Sequence, residues 1–326
     1  NGGMQVAQRA TSSTGLGAAS GYFTLDRFNM SINAASAGRY TMSQSAVTDL
    51  EGFSNALKIE CTTADTSIAS GEVLILQHRL EGQDLQRLKS TSTTTKAFTI
   101  SFYAKSNASR AISLEARFSN GTNRQAATLH TIGTSWARYT MTVPASSSMQ
   151  IDNDNSNEMQ INFFLHAGSD FTSGTIQGST LGAADNTKRA SGIGSIFSST
   201  SNTLEITGLQ MEVGSAVTEF EHRSFGEELS LCRRYYQKLV GSSYYGGFHA
   251  YTGSSSVYVQ LVPQMRAAPT VTNYNVRNAS SGATATGQSA NYINVDGFNA
   301  PIDAAGGSDT HASHINQTFM EASAEL

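Results

Sequence analysis

A chain of 326 residues with a formal charge of −4 and only 14% charged residues is long enough for two domains of ordinary size. That balance is no electrostatic footprint for DNA or RNA, and no apolar run reaches the ~20 residues of a membrane-spanning helix. Solubility must rest on Ser, Thr, Asn, Gln and Gly side chains, while the regular spacing of apolar residues argues against disorder.

The chain opens on Asn1, without a basic-then-apolar leader; a processed or trimmed product, or an incomplete start, is expected. Strand signals with period two then recur. "LKIE" (57–60) and "VLILQHRL" (73–80) come first. In "FTISFYAK" (98–105), Phe98, Ile100 and Phe102 share a face. "ISLEARF" (112–118) lines up Ile112, Leu114, Ala116 and Phe118. "WARYTMTV" (136–143), "MQINFFLH" (159–166) and "LEITGLQMEV" (204–213) complete the set. Turn-rich pieces such as "SNGTN" (119–123) and "SDFTSGTIQG" (169–178) separate them. Many short strands with Gly, Asn and Ser turns predict an all-β fold, a jelly-roll β-sandwich over residues 1–222. Trp136, the sole tryptophan, is expected in the core rather than as a stacking platform.

"SFGEELSLCRRYYQK" (224–238) breaks this pattern. Ser224 and Glu227 have capping-box spacing. Glu227 and Glu228 early, and Arg233, Arg234 and Lys238 late, suit a helix dipole. Leu229, Cys232, Tyr236 and Leu239 form a stripe at helical spacing, and Gly241 is a natural stop. A helix over 224–239 is expected, within a helical connector spanning 223–240. Strand signals resume in a smaller C-terminal β domain, 241–326, with segments such as "SVYVQLVP" and "NYINVDGF". Its apolar inventory is thin, and self-association would compensate for it. Cys61 and Cys232 are read as buried small hydrophobes, not a disulfide framework.

Chemistry-bearing clusters are few. No G-x-S-x-G, H-E-x-x-H or Walker loop occurs. The histidines at 78, 130, 166, 222, 249, 311 and 314 are scattered; His311 and His314 could meet a metal only around a symmetry axis. Glu81, Asp84 and Glu115 are acids available to a glycan hydrolase, but spacing pairs none of them. In "IDNDNSNE" (151–158), Asp152, Asp154, Asn155 and Glu158 supply hard oxygens at short spacing, as a calcium site would; a solvated hairpin turn explains the same residues. Glycan recognition needs aromatic faces for sugar C–H groups and amides for hydroxyls. Tyr244, Tyr245, Phe248 and Tyr251 cluster among glycines at 241–253 and are the expected glycan site, or else an interface between chain copies.

"NGGMQVAQRATSS" (1–13), "GYFTLDRF" (21–28), "LQHRLEGQDLQRLK" (76–89), "FTISFYAKS" (98–106), "ITGLQMEVGSAVTEFEHRSFGEELSLCRRYYQK" (206–238) and "MRAAPTVT" (265–272) together resemble a recurring module. It belongs to tail-fibre-like, receptor-binding or decoration proteins of tailed bacteriophages, especially marine ones. The resemblance implies a carbohydrate-binding-module-like jelly roll, a short helix and a C-terminal β domain. It also implies a homotrimer displayed on the virion, in contact with other virion proteins and host surface polysaccharide. Modules of that type often hold a structural calcium. Members often carry an upstream attachment region. The expectation is a non-enzymatic virion protein that binds host glycan; a purely structural fibre or decoration part, or a glycan hydrolase, are the alternatives.

Overall fold

The structure is a computed structural model that describes residues 1–119, 123–147, 149–240, 246–247, 255–272, 276–278, 284–285, 289–302, 313–315 and 319–326. Residues 1–225, together with Leu326, form one compact unit, and residues 226–325 form a second.

The first unit holds thirteen strands: β1 (Ser12–Leu16), β2 (Gly21–Tyr22), β3 (Phe28–Asn33), β4 (Arg39–Ala46), β5 (Asn55–Thr63), β6 (Val73–Glu81), β7 (Phe98–Ser106), β8 (Arg110–Phe118), β9 (Arg124–Ile132), β10 (Ala137–Val143), β11 (Asn157–Ala167), β12 (Gly178–Ala183) and β13 (Thr203–Val213). They build a six-stranded sheet in the order β1-β4-β5-β13-β7-β10 and a seven-stranded sheet in the order β12-β9-β8-β11-β6-β3-β2. From β5 onward most connections cross from one sheet to the other, which is the jelly-roll wrap expected from the sequence.

Alternation decides what lies between the sheets. Phe98, Ile100 and Phe102 of β7 meet Ile112, Leu114 and Phe118 of β8 and Met159, Ile161 and Phe163 of β11 in one buried cluster. Phe102 meets Phe163 edge-on at 4.9 Å, and Phe98 meets Phe118 likewise at 6.1 Å. Each such ring contributes about 1.5–3 kcal/mol by leaving water. Cys61 and Cys232 are both buried, and neither thiol is part of a disulfide, as read from their isolation.

Six strands, β1–β4, β9 and β12, were not among the sequence expectations. β3 and β4 do alternate, with Phe28, Met30 and Tyr40, Met42 buried in the core, but polar residues fill the positions between and mask the pattern. β9 turns Ala126 and Ile132 inward, but Thr128 and His130 fill the positions between them on that face, so its hydrophobic signal is sparse.

In the second unit, strand Tyr236–Val240 pairs with Phe319–Ser323, which also pairs with Thr270–Thr272. Ser255–Gln260 pairs with Gly297–Ile302, and that strand with Asn291–Asn294. Four further short strands form a separate sheet. Val259, Leu261, Met265, Phe298, Met320 and Ala322 share a small core of their own.

The helix runs only from Phe225 to Arg233, six residues short of the expected end. Tyr236 and Leu239 lie instead on a strand, opposite Ser323 and Met320. Of the proposed helical stripe only Leu229 and Cys232 are helical, with Cys232 buried. Tyrosines at 235 and 236 favour extended backbone, and pairing with the C-terminal strand gives the main chain of 236–240 a ladder that outcompetes further helix.

Candidate functional site

The two faces of the seven-stranded sheet differ sharply in chemistry. Residues that alternate with the core side chains point outward, and cross-strand register sets them in rows. One row reads Asn29, Gln77, Asn162, Glu115 across β3, β6, β11 and β8. The next reads Arg79, Gln160, Arg117, Gln125 across β6, β11, β8 and β9. Strands lie about 4.8 Å apart, so eight polar side chains form one band. The first row is its floor: Asn29 is 6% exposed, Gln77 4%, and Asn162 and Glu115 are fully buried. Arg79, Gln160 and Arg117 of the second row are half-buried.

Beside the band the same face is apolar and covered. Val73 and Ile75 of β6 and Phe164 of β11 cluster with Ala167, Phe171 and Ala190, the last two from the segment between β11 and β13. Glu115 and Arg189 mark the border. Arg189 Nε and Nη2 donate to the two Glu115 carboxylate oxygens at 2.8 and 2.9 Å, and the guanidinium lies 4.8 Å from the Phe164 ring centre. Asn162 Nδ2 donates to Glu115 Oε2 at 2.7 Å. The bidentate pair is the geometry that arginine and carboxylate form best.

Other groups in the band keep unused capacity. Asn29 Oδ1, Asn162 Oδ1 and Arg79 Nε are buried without a hydrogen-bond partner among the described residues; leaving such an atom unmet costs about 1–3 kcal/mol. Arg79 is otherwise engaged: one Nη donates to Gln77 Oε1 at 3.1 Å, and the other holds the Leu326 carbonyl. Burial, and then the nearby Arg189 charge, lower the Arg117 pKa, against the pull of Glu115; a partly desolvated guanidinium gains from any oxygen acceptor offered to it. Gln125 is fully buried, with both amide atoms engaged by the Asp185 main chain, so the band presents the Gln160 amide between the Arg79 and Arg117 guanidinium groups.

A serine, a histidine and a carboxylate also meet in this unit. His166 Nδ1 lies 2.7 Å from Ser195 Oγ, and its Nε2 lies 3.1 Å from Glu72 Oε2. This is triad-like connectivity on residues that sequence spacing could not join. It is closed as a nucleophile: Ser195 Oγ accepts from the Phe197 amide at 3.0 Å, and His166 is fully buried beside the Phe197 ring at 5.2 Å. The arrangement fixes the β12–β13 segment onto the sheet.

The expected calcium ligands are not gathered. Asp152, Asp154 and Asn155 are exposed in the turn, whereas Glu158 lies within β11 and is 1% exposed. The Asp154 carboxylate accepts from Ser156 N and Oγ at 2.9 and 3.1 Å, an Asx turn. The Asp152 and Asp154 carbonyls accept from Gln86 Nε2 and Gln83 N. Among the described residues no group of three His, Cys, Asp or Glu side chains is placed to hold a metal ion. The donors therefore fit a turn and not a preformed cage. Tyr244, Tyr245, Phe248 and Tyr251 lie outside the described residues.

Trp136 is not in the core. It is half-buried beside the six-stranded sheet, with Nε1 donating to Asp49 Oδ1 at 2.8 Å. Lys105 Nζ sits 4.9 Å from the ring centre and 2.9 Å from Asp49 Oδ2. The Lys105 and Trp136 hydrogen bonds hold the Asp49 carboxyl below its ordinary pKa. The residues of the polar band were missed because Asn, Gln and Arg inside strands read as ordinary solvent-facing positions; only register shows that they align.

The chain matches no family model and no curated protein. Among solved structures it is similar to the enzymatically active domain of tailspike protein 4 of bacteriophage CBA120, at 11% identity and TM-score 0.31, over 58% of this chain and 19% of that one. It is similar to the family 11 carbohydrate-binding module of the cellulosomal cellulase Lic26A-Cel5E of Clostridium thermocellum, at 12% identity and TM-score 0.32, over 62% of this chain and 99% of that one. A family 30 carbohydrate-binding module is similar at 13% identity and TM-score 0.31, over 68% and 94% of the two chains. Likeness at this distance carries nothing about ligand chemistry, which rests on the residues of this chain.

Proposed function

We propose that this chain is a non-catalytic glycan-binding module, displayed on a phage particle as a homotrimer and directed at host surface polysaccharide. One observation carries the binding reading: Arg79, Gln160 and Arg117, half-buried on neighbouring strands, stand in one row on the outer face of the seven-stranded sheet, beside a floor of buried amides. Sugar hydroxyls both donate and accept, and mixed Asn, Gln and Arg side chains serve them without burying free charge. The buried carboxylate of the band, Glu115, is neutralised by Arg189 and so is poorly placed to act as a glycosidase acid or base. The virion, the trimer and the host polysaccharide are supported by the resemblance of the sequence to phage receptor-binding proteins.

A single millimolar sugar site is worth only about 4 kcal/mol; three copies on one trimer raise avidity where spacing permits. Affinity electrophoresis in gels containing host polysaccharide tests the reading. The intact chain should be retarded, Gln160→Ala and Arg117→Ala should each weaken the retardation severalfold, and no reducing ends should be released. Equal retardation of the variants, or accumulating reducing ends, would sink it.

A further inference from the structure

On the opposite sheet a second group of rings stands outside the sandwich core. Phe53 lies 5.3 Å from Tyr103, 5.1 Å from Phe220 and 5.2 Å from His222, ring centre to ring centre, and Phe220 meets His222 edge-on at 4.8 Å. Tyr103 alternates with the buried Phe102 and Ala104 of β7, so the cluster sits on the outer face of the six-stranded sheet. A cavity of about 260 Å³ opens there. Phe53, His222 and Phe225 line it together with Gln5, Ser54 and Asn55. Gly52 keeps it open: its φ is +82°, and a Cβ there would approach His222 Nε2 to 3.3 Å. Phe225 is 58% exposed, a large apolar face left in water.

We propose that this notch is a second sugar site, one that takes a single neutral pyranose ring. A pyranose has apolar C–H faces and a rim of hydroxyls. Phe53, His222 and Phe225 supply rings suited to the former, and Gln5, Asn55 and Ser54 are residue types that hydrogen-bond the latter. Among the described residues no Asp, Glu, Lys or Arg lines it, so these offer a charged sugar no counter-charge. Its volume lies just below the roughly 300–1,000 Å³ of pockets that enclose drug-sized ligands, which suits one ring and not an extended chain. The site is independent of the polar band, being on the other sheet, and would give each protomer two contacts with a branched or multi-stranded glycan surface.

Saturation-transfer NMR on the intact chain tests this, with glucose, galactose, mannose and N-acetylglucosamine as separate probes. At least one probe should receive transfer, with a Kd of about 1–10 mM. Ser54→Trp, which fills the notch from an exposed position, should abolish it. His222→Ala should weaken it about tenfold, as the loss of one aromatic contact predicts, and His222→Phe should retain it. Ile68→Ala, at an exposed position in neither candidate site, should leave it unchanged; the gel variants and the notch variants lie on different sheets, so the two readings can fail separately. No transfer from any probe, transfer untouched by Ser54→Trp, or transfer lost in Ile68→Ala would overturn the proposal.

Discussion

Glu115 and Arg189 show how one residue pair both closes and opens the sheet face. Their two parallel hydrogen bonds hold the β12–β13 segment against Phe164 and Phe171, so half of the face is covered. The same pair supplies the edge of the band left for ligand. Removing one partner strands a buried charge, and such losses run to about 3–5 kcal/mol. Glu115→Ala should therefore lower the denaturant midpoint of the first unit's unfolding transition by a corresponding amount, and Arg189→Met should cost at least as much, because it strands the fully buried Glu115 carboxylate. A Glu115→Ala chain that unfolds within about 0.5 kcal/mol of the parent, the scale of an ordinary surface substitution, would show that the pair does not hold the segment.

Elements carry the next distinction, between a turn and a metal loop. The segment 151–158 has the oxygen-rich composition of a calcium loop, yet the Asp154 carboxylate is taken by Ser156 and the Asp152 and Asp154 carbonyls by Gln86 and Gln83, and Glu158 lies within the sheet. A bound ion stabilises a fold in proportion to its saturation, which makes the reading measurable. Millimolar calcium, or its removal with EDTA, should leave the thermal midpoint within about 1 °C, since even 1 kcal/mol moves a domain of this size by about 2–4 °C. A rise of several degrees with calcium would reinstate the loop as a cation site. The helix makes a related point: its charge pattern extends to Lys238, but its hydrogen bonding stops near Arg233 because the following residues have a strand to join.

At the scale of the whole molecule, two units of unequal size share one chain. The second has a small core built around Phe298, Val259 and Met320; small cores gain most from association. Light scattering of the purified chain should return three times the 34.6 kDa chain mass. A mass of one or two chains would remove the trimer from the proposal and, with it, the avidity argument for host binding.

Period-two runs such as Phe98/Ile100/Phe102 and Ile112/Leu114/Ala116/Phe118 were enough, read alone, to determine an all-β sandwich, because burial of alternate side chains is a local property of each strand. The break at 224 was legible for the same reason, through its charges and capping residues. Where that helix ended was not, since the competing ladder comes from residues 319–323, some eighty positions away. Nor was either candidate site. Asn29, Gln77, Asn162 and Glu115 become neighbours only through the register of four strands distant in sequence, and Phe53 meets His222 only when the β4–β5 turn and the segment after β13 converge. Strand chemistry is written in each segment; the alignment of polar side chains across a sheet is decided by long-range pairing, which no single stretch of sequence specifies.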